Sequence, residues 1–378
     1  DARGGFGALN YDAVLSQLEP YNTDPDHPML IVLHHDGDNY GGGADSYYHS
    51  NFAGFVSWLL AEPTRFQAIT IEEYLERFPP AAGDVIHVED GSWSGADNGD
   101  PEFLKWNGDP AADGYSPDRT SGAVMTAAVN RLHTAATMDP AATADEVLDG
   151  TTDIGRAWRE TLAGETSCYW YWDLAEGGIW DSHPARAANR AAALVDPILA
   201  GIAAEPVPPA VYPPQREPYN PGGIEWGTTV QPEDFEVWTY AYDVSGLDRV
   251  ELWWRPDDDG AMGGENHRYG TRSWCVVPMT EVTPSPRTDP LPLHLADRYG
   301  ATVAGQGENL VDYFVRAEDD LGNVAETPIR HVFVGAGGTG PSGGTLHHYP
   351  PAPTRHDVIT VVAWAPGFLH WGIDGFSL

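Results

Sequence analysis

Ile31-Val32-Leu33-His34-His35-Asp36-Gly37-Asp38-Asn39-Tyr40-Gly41-Gly42-Gly43 is the stretch on which the reading of this chain turns. The apolar run from Met29 to Leu33 predicts a buried strand, and it ends abruptly in imidazoles, carboxylates and three glycines. A strand that delivers charge at its carboxyl end is the mark of an α/β active-site strand, because ligands bind where the strand ends open into loops. Asp36 and Asp38 flank Gly37, so an extended backbone places both side chains on one face. Two carboxylates held that close raise one another's pKa, which is one way to make a general acid. The plainer reading is a solvated Asp-Gly turn or a calcium loop.

Outward from this point, strand and helix patterns alternate. Tyr11 to Leu18 is amphipathic, Tyr47 to Leu60 reads as a helix stopped by Pro63, and Thr70 caps a helix running to Phe78, with Glu73 three residues on. Asp84 to Val88 predicts a second buried strand, tipped by Glu89-Asp90-Gly91-Ser92-Trp93-Ser94-Gly95. Strand, polar tip and helix in repetition indicate parallel α/β layering, with both tips facing one pocket. Trp93 and Trp106 offer faces on which sugar rings could stack, although a single tryptophan is more often core. Helices over 124–132, 154–162 and 185–202, with the aromatic run Tyr169-Trp170-Tyr171-Trp172-Asp173 between the last two, read as a cover over a barrel's open side.

The pattern changes at Glu205. Residues 206–222 are proline-rich and read as a linker. Beyond it the period is two, with strands around Phe235–Thr239, Val250–Trp254, Trp274–Val277, Val311–Arg316 and Ile329–Val334. They predict an all-β immunoglobulin-like sandwich over 223–336, with Asp319-Asp320-Leu321-Gly322-Asn323 as a hairpin turn. A Gly-rich linker (337–345) leads to a short final segment, 346–378, too small to bury a core alone.

Composition excludes several roles. The chain carries 56 Asp+Glu against 20 Lys+Arg, a formal net charge of −36, and Lys105 is its single lysine. Such a surface repels nucleic acid and anionic lipid and suits a saline or calcium-containing exterior. No run approaches the roughly 20 apolar residues of a membrane span. Cys168 and Cys275 are too far apart for a metal motif and read as two buried thiols, with a single bridge as the alternative. No cofactor is required by these motifs; acidic loops such as Asp257-Asp258-Asp259-Gly260 read as solvated turns, with structural calcium as the alternative.

Three ordered motifs resemble glycoside hydrolase family 57, whose members are retaining α-glucan-active enzymes on an incomplete (β/α)7 barrel with a helical bundle. His35-Asp36-Gly37-Asp38-Asn39-Tyr40-Gly41 is similar to the family's Asp-x-Glu-x-Phe-Gly motif, with Asp38 at the Glu position and Tyr40 at the Phe position. The resemblance implies that Asp36 is the general acid/base. Glu89 to Ala96 resembles the Glu-Gly-Ser-Trp-Gly-Ala-Gly stretch of branching-enzyme members, and Tyr169 to Asp173 an aromatic segment of the helical region. The family's nucleophile is a Glu in an upstream Gly-Asn-x-Glu-like motif; residues before Asp36 contain none, and Glu19 sits in no such context. Since a retaining mechanism uses two carboxyl groups about 5–5.5 Å apart, the nucleophile is expected on an upstream fragment of the same precursor. Residues 1–205 thus read as a hydrolase-like domain whose barrel begins elsewhere. Near the end, Leu369-His370-Trp371-Gly372-Ile373-Asp374-Gly375 is similar to a segment of starch-binding modules in which the tryptophan stacks on glucose.

The expectation is therefore a multidomain, exported or cell-surface α-glucan hydrolase or transglycosylase, acting on polysaccharide. Asp36 and Asp38 would be catalytic, and His34, His35, Glu89, Trp93, Trp106 and Trp371 would bind substrate. The competing expectation is a non-catalytic carbohydrate-binding or assembly protein, able to self-associate, that keeps a degenerate hydrolase fold. A metal centre built from His34, His35, Asp36 and Asp38 ranks last, because adjacent histidines point to opposite faces of a strand.

Overall fold

The structure, a computed structural model, describes residues 15–32, 53–80, 104–107, 116–138, 150–166, 169, 182–200, 204–223, 230–257, 272–335, 337, 347–349 and 360–362. The chain divides into two compact units, Asp1–Asp84 and Val85–Leu378.

In the first unit the described regular elements are two helices, α1 (Ala53–Ala61) and α2 (Ile71–Arg77), and a single 3-10 turn at Glu19–Tyr21. Helix α2 begins where the sequence places it. Thr70 has an extended backbone, and its Oγ1 accepts the Glu73 amide hydrogen at 3.0 Å, satisfying one of the donors a helix start leaves open. Arg65 ties the segment before α2 to earlier residues, donating to Glu19 at 2.6 Å and to Ser16 at 2.7 Å. The run from Met29 departs from expectation. Residues 28–32 form no strand, and Met29 and Val32 are 39% and 57% exposed. Side chains satisfy the backbone here: Asn22 Oδ1 accepts from the Met29 amide, and the Tyr74 hydroxyl donates to the Pro28 carbonyl. A short apolar run becomes a strand only where a neighbouring strand takes those hydrogen bonds.

The second unit is layered. After a one-turn helix α3 (Leu104–Asn107) come three longer helices, α4 (Pro117–Met138), α5 (Asp153–Gly164) and α6 (Ser182–Leu199). They meet through Leu132, Ala135, Ile154, Ala157, Ala191 and Val195, all fully or almost fully buried. The alanine content of these segments allows close approach of the helices. A Cβ on Gly164 would lie 3.0 Å from that of Ala187.

The strands form two antiparallel sheets. Strands β1 (Ala210–Val211), β2 (Gln215–Glu217), β3 (Phe235–Tyr242), β6 (Thr280–Val282) and β7 (Asp297–Val303) make the first, ordered β1-β3-β7-β6 with β2 also on β3. The second holds β4 (Leu247–Pro256), β5 (Cys275–Pro278), β8 (Asn309–Asp319), β9 (Val324–Glu326) and β10 (Arg330–Val334), ordered β10-β8-β4-β5 with β9 also on β8. A separate hairpin pairs β11 (His347–Tyr349) with β12 (Thr360–Val362). One core is shared by both sheets: Phe235 and Val237 from β3 pack with Leu252 from β4, Val311 and Val315 from β8, and Val334 from β10. This is compatible with the expected sandwich. The hairpin turn at Asp319–Asn323 also forms, with Asp319 Oδ1 accepting from the amides of Leu321 and Asn323 and Gly322 at φ +90°.

Three features bear on the sequence reading. First, all described strand pairs are antiparallel, and the second strand expected of a parallel layer, Asp84 to Val88, lies outside the described residues. Second, the proline-rich stretch contributes β1 and β2, which pair in succession along β3. Its prolines suit an edge, where no ladder donor is missed. It is tied down further on, where the Gly335 amide donates to Pro221 at 2.8 Å and that of Gly337 to Gly222 at 3.0 Å. Third, both faces of β3 are covered. Phe235 and Val237 point into the shared core, while Trp238 and Tyr240 pack against Ala123 of α4. Helix α4, read as part of a barrel cover, lies on this sheet. Cys275 is likewise not a buried thiol: it is free and exposed on the edge strand β5, and Cys168 lies outside the described residues.

Candidate functional site

Of the residues proposed from sequence, His34, His35, Asp36, Asp38, Glu89, Trp93 and Trp371 lie outside the described residues. Trp106 is described. It is half-buried in α3, a helix fastened to its neighbours through Asn107, whose carbonyl accepts from Arg119 at 3.1 Å and whose amide donates to Gln215 at 3.1 Å. Trp106 therefore belongs to a packed junction between α3, the start of α4 and β2.

The described residues bring together a different constellation, at the seam where the ends of α4 and α6 meet two turns of the sheets. Asp243 follows β3. Its Oδ1 accepts from the Ser245 amide at 2.8 Å and hydroxyl at 2.6 Å, and its Oδ2 from Asn130 of α4 at 3.0 Å. Asp319 ends β8, and its Oδ2 accepts from Asn323 at 2.7 Å. The same Asn323 amide donates to the Glu205 carbonyl at 3.0 Å. Glu205 Oε2 accepts from the Val207 amide at 2.5 Å, and Oε1 from Ser245 at 3.4 Å. All three carboxylates are buried, and one oxygen from each lies within 4.8 Å of the others. Burial pushes the Glu205 carboxyl up; the Val207 hydrogen bond pulls it back, but the charges of Asp243 and Asp319 keep it above the usual range.

Beside them opens a cavity of about 420 Å³, lined by Arg131, Asp196, Leu199, Glu205, Ser245 and Leu321. Arg131 is committed within it. It donates to Asp196 at 2.5 and 3.1 Å and to the Tyr242 hydroxyl at 2.9 Å, while His294 meets the other Asp196 oxygen at 3.0 Å. Burial opposes charge on Asp196, but hydrogen bonds from His294 and Arg131, with Arg131's charge, hold its carboxyl below the ordinary range.

Three convergent carboxylates are an oxygen-donor set suited to a hard cation such as calcium. A second group, Asp257, Asp312 and His331, also falls within 4.8 Å, but there Arg255 occupies one Asp312 oxygen at 2.9 Å and His331 the other at 2.8 Å. Arg255 and Asp312 are each 2% exposed, so this group already carries its own cation. Of the acidic loop for which calcium was the alternative, only Asp257 is described. The Glu205 cluster escaped the sequence reading because its members lie in three separate segments: the residue before the proline-rich stretch, the residue after β3 and a hairpin turn. The one signal was Asp319 in that turn.

No family model matches the chain. It is similar to an alpha-amylase of Niallia circulans, 24% identical over an alignment of 450 positions that takes in 88% of this chain and 34% of the relative. The chain thus spans about a third of the length of the curated relative it matches. In its described residues no helix is long and apolar enough to cross a membrane.

Proposed function

We propose that this chain is part of an α-glucan-active glycoside hydrolase or transglycosylase. The observation that carries the reading is the similarity to an alpha-amylase over 88% of the chain. The His34-His35-Asp36-Gly37-Asp38 cluster supports it independently, as a carboxylic acid in a family 57-like motif. In this reading Asp36 protonates the leaving oxygen and then activates water, and Asp38, as a like-charged neighbour, keeps the Asp36 pKa high enough to hold a proton near neutrality. The partner carboxylate of a retaining mechanism is supplied from outside this chain. His34, His35, Glu89, Trp93 and Trp106 are the candidate substrate-binding residues, and Trp371 a candidate for stacking on glucan. The β-sandwich is an immunoglobulin-like spacer, structural calcium is the one ion the acidic residues would hold, and the protein works outside the cell.

The test is release of reducing ends from soluble amylose by the full precursor, and by the same protein carrying Asp36→Asn. Turnover by the parent, with a loss of ~10³-fold or more in the variant and unchanged glucan binding, is the expected outcome. Glucan binding with no cleavage by the parent sinks the catalytic assignment and leaves the carbohydrate-binding reading. Full activity in Asp36→Asn removes Asp36 from the mechanism.

A further inference from the structure

The charge of this chain is out of proportion to what its fold can neutralise. Even with each of the 20 Lys and Arg side chains paired to a carboxylate, a formal charge of −36 has no protein counter-charge. That is roughly one uncompensated negative charge for every ten residues. Described arginines are already spent on local partners: Arg131 on Asp196, Arg255 on Asp312, Arg298 on Glu236, and both Arg249 and Arg316 on Glu318. Unfolding separates the surplus carboxylates, so the compact state alone bears their repulsion.

The seam at Glu205 concentrates the problem. Glu205, Asp243 and Asp319 come from three segments and are buried against one another. Among the described residues their hydrogen-bond donors are all neutral, namely the amides of Val207, Ser245, Leu321 and Asn323 and the side chains of Asn130, Ser245 and Asn323. Arg131, the cation lining the adjoining cavity, is turned to Asp196 and Tyr242. The cavity of about 420 Å³ gives solvent cations access to Glu205. Among the described residues no Lys or Arg forms an ion pair with Glu205, Asp243 or Asp319.

We propose that this fold is conditional on ionic strength: its native packing forms in salt of about molar concentration and is lost as salt is withdrawn. The physical basis is screening. The Debye length is about 10 Å at 0.1 M salt and about 3 Å at 1 M, so neighbouring surface carboxylates repel one another in dilute buffer and cease to do so in concentrated salt. The inference rests on charge and packing alone and is independent of the proposed activity.

The experiment uses the full chain at neutral pH with a chelator present. Thermal unfolding is followed by far-UV circular dichroism and tryptophan fluorescence as NaCl is lowered from about 3 M to about 0.05 M. The expected result is a rise of about 100-fold or more in the unfolded-to-folded ratio at fixed temperature between about 1 M and 0.1 M salt. An unfolding midpoint that does not move across the series overturns the proposal. So does full restoration at low salt by sucrose, which acts through exclusion from the surface and screens nothing. Full restoration at low salt by millimolar calcium in excess of the chelator also overturns it, since the calcium proposed for the acidic residues would then suffice without ionic strength.

Discussion

Trp238→Ala tests whether the helices and the sheets of the second unit form one cooperative structure. Trp238 is 2% exposed on the helix-facing side of β3. It stacks nearly parallel to Tyr212 at 6.4 Å and meets Tyr240 edge-on at 5.5 Å. The guanidinium groups of Arg119 and Arg298 lie over its ring at 5.4 and 5.2 Å. A tryptophan buries about 150–250 Å², which at about 25 cal/mol per Å² amounts to roughly 4–6 kcal/mol for complete burial. Truncations of this kind cost about 3–5 kcal/mol once the cavity is included. Arg119 and Arg298 keep their carboxylate partners, Glu217 and Glu236, so loss of the ring contacts adds only about 1 kcal/mol. The expected total of about 4–6 kcal/mol is a large share of the stability of an ordinary domain. Urea unfolding in molar salt, followed by dichroism for the helices and near-UV absorbance for the aromatic layer, measures it. The two signals should shift together to lower denaturant. A loss below about 1.5 kcal/mol, or helices that unfold apart from the sheets, would refute the reasoning that α4 and β3 share one core.

Further predictions rest on other parts of the structure. Gly222→Ala should destabilise the second unit by 2 kcal/mol or more in urea melts, on the order expected for backbone conflict, because Gly222 has φ +66° and an added Cβ would lie 2.1 Å from the Gly335 carbonyl oxygen. Thr70→Ala removes the cap on α2, at a cost of about 1 kcal/mol, and should accelerate hydrogen exchange at the Glu73 amide. Stability should depend on pH in two opposed ways. Glu205, raised in the folded state, binds its proton more readily there than when unfolded, so its effect is a gain in stability as pH falls from above its folded pKa toward 4.5. Glu205→Gln should flatten that slope. Asp196, lowered in the folded state, contributes stability that is present above 3.8 and lost as pH falls through its folded value. Asp196→Asn should remove this acid-side loss, as read by chemical denaturation across the pH series.

What the sequence determined by itself was local and periodic. Thr70 with Glu73 announced the start of α2, and the hydroxyl-to-amide bond is there. Alternation around Phe235, Val250, Val311 and Ile329 announced strands, since a half-buried strand must alternate. Gly322 in an acidic turn announced the hairpin, because a positive φ favours glycine. The charge of −36 and the His-Asp cluster were legible as well, being facts of composition and order. The tertiary structure decided what depends on partners. A proline-rich stretch became two strands because β3 had a free edge, and Met29 to Val32 formed none, the Met29 amide going to the Asn22 side chain instead of to a neighbouring strand. Trp238, on the face of β3 opposite Phe235 and Val237, is a core residue because α4 covers that face. Glu205, Asp243 and Asp319 carry no common motif and meet only because a linker start, a strand end and a turn converge at one seam. Periodicity encodes which face of an element is buried, but not which distant segment buries it, and the carboxylate seam exists only at that second level.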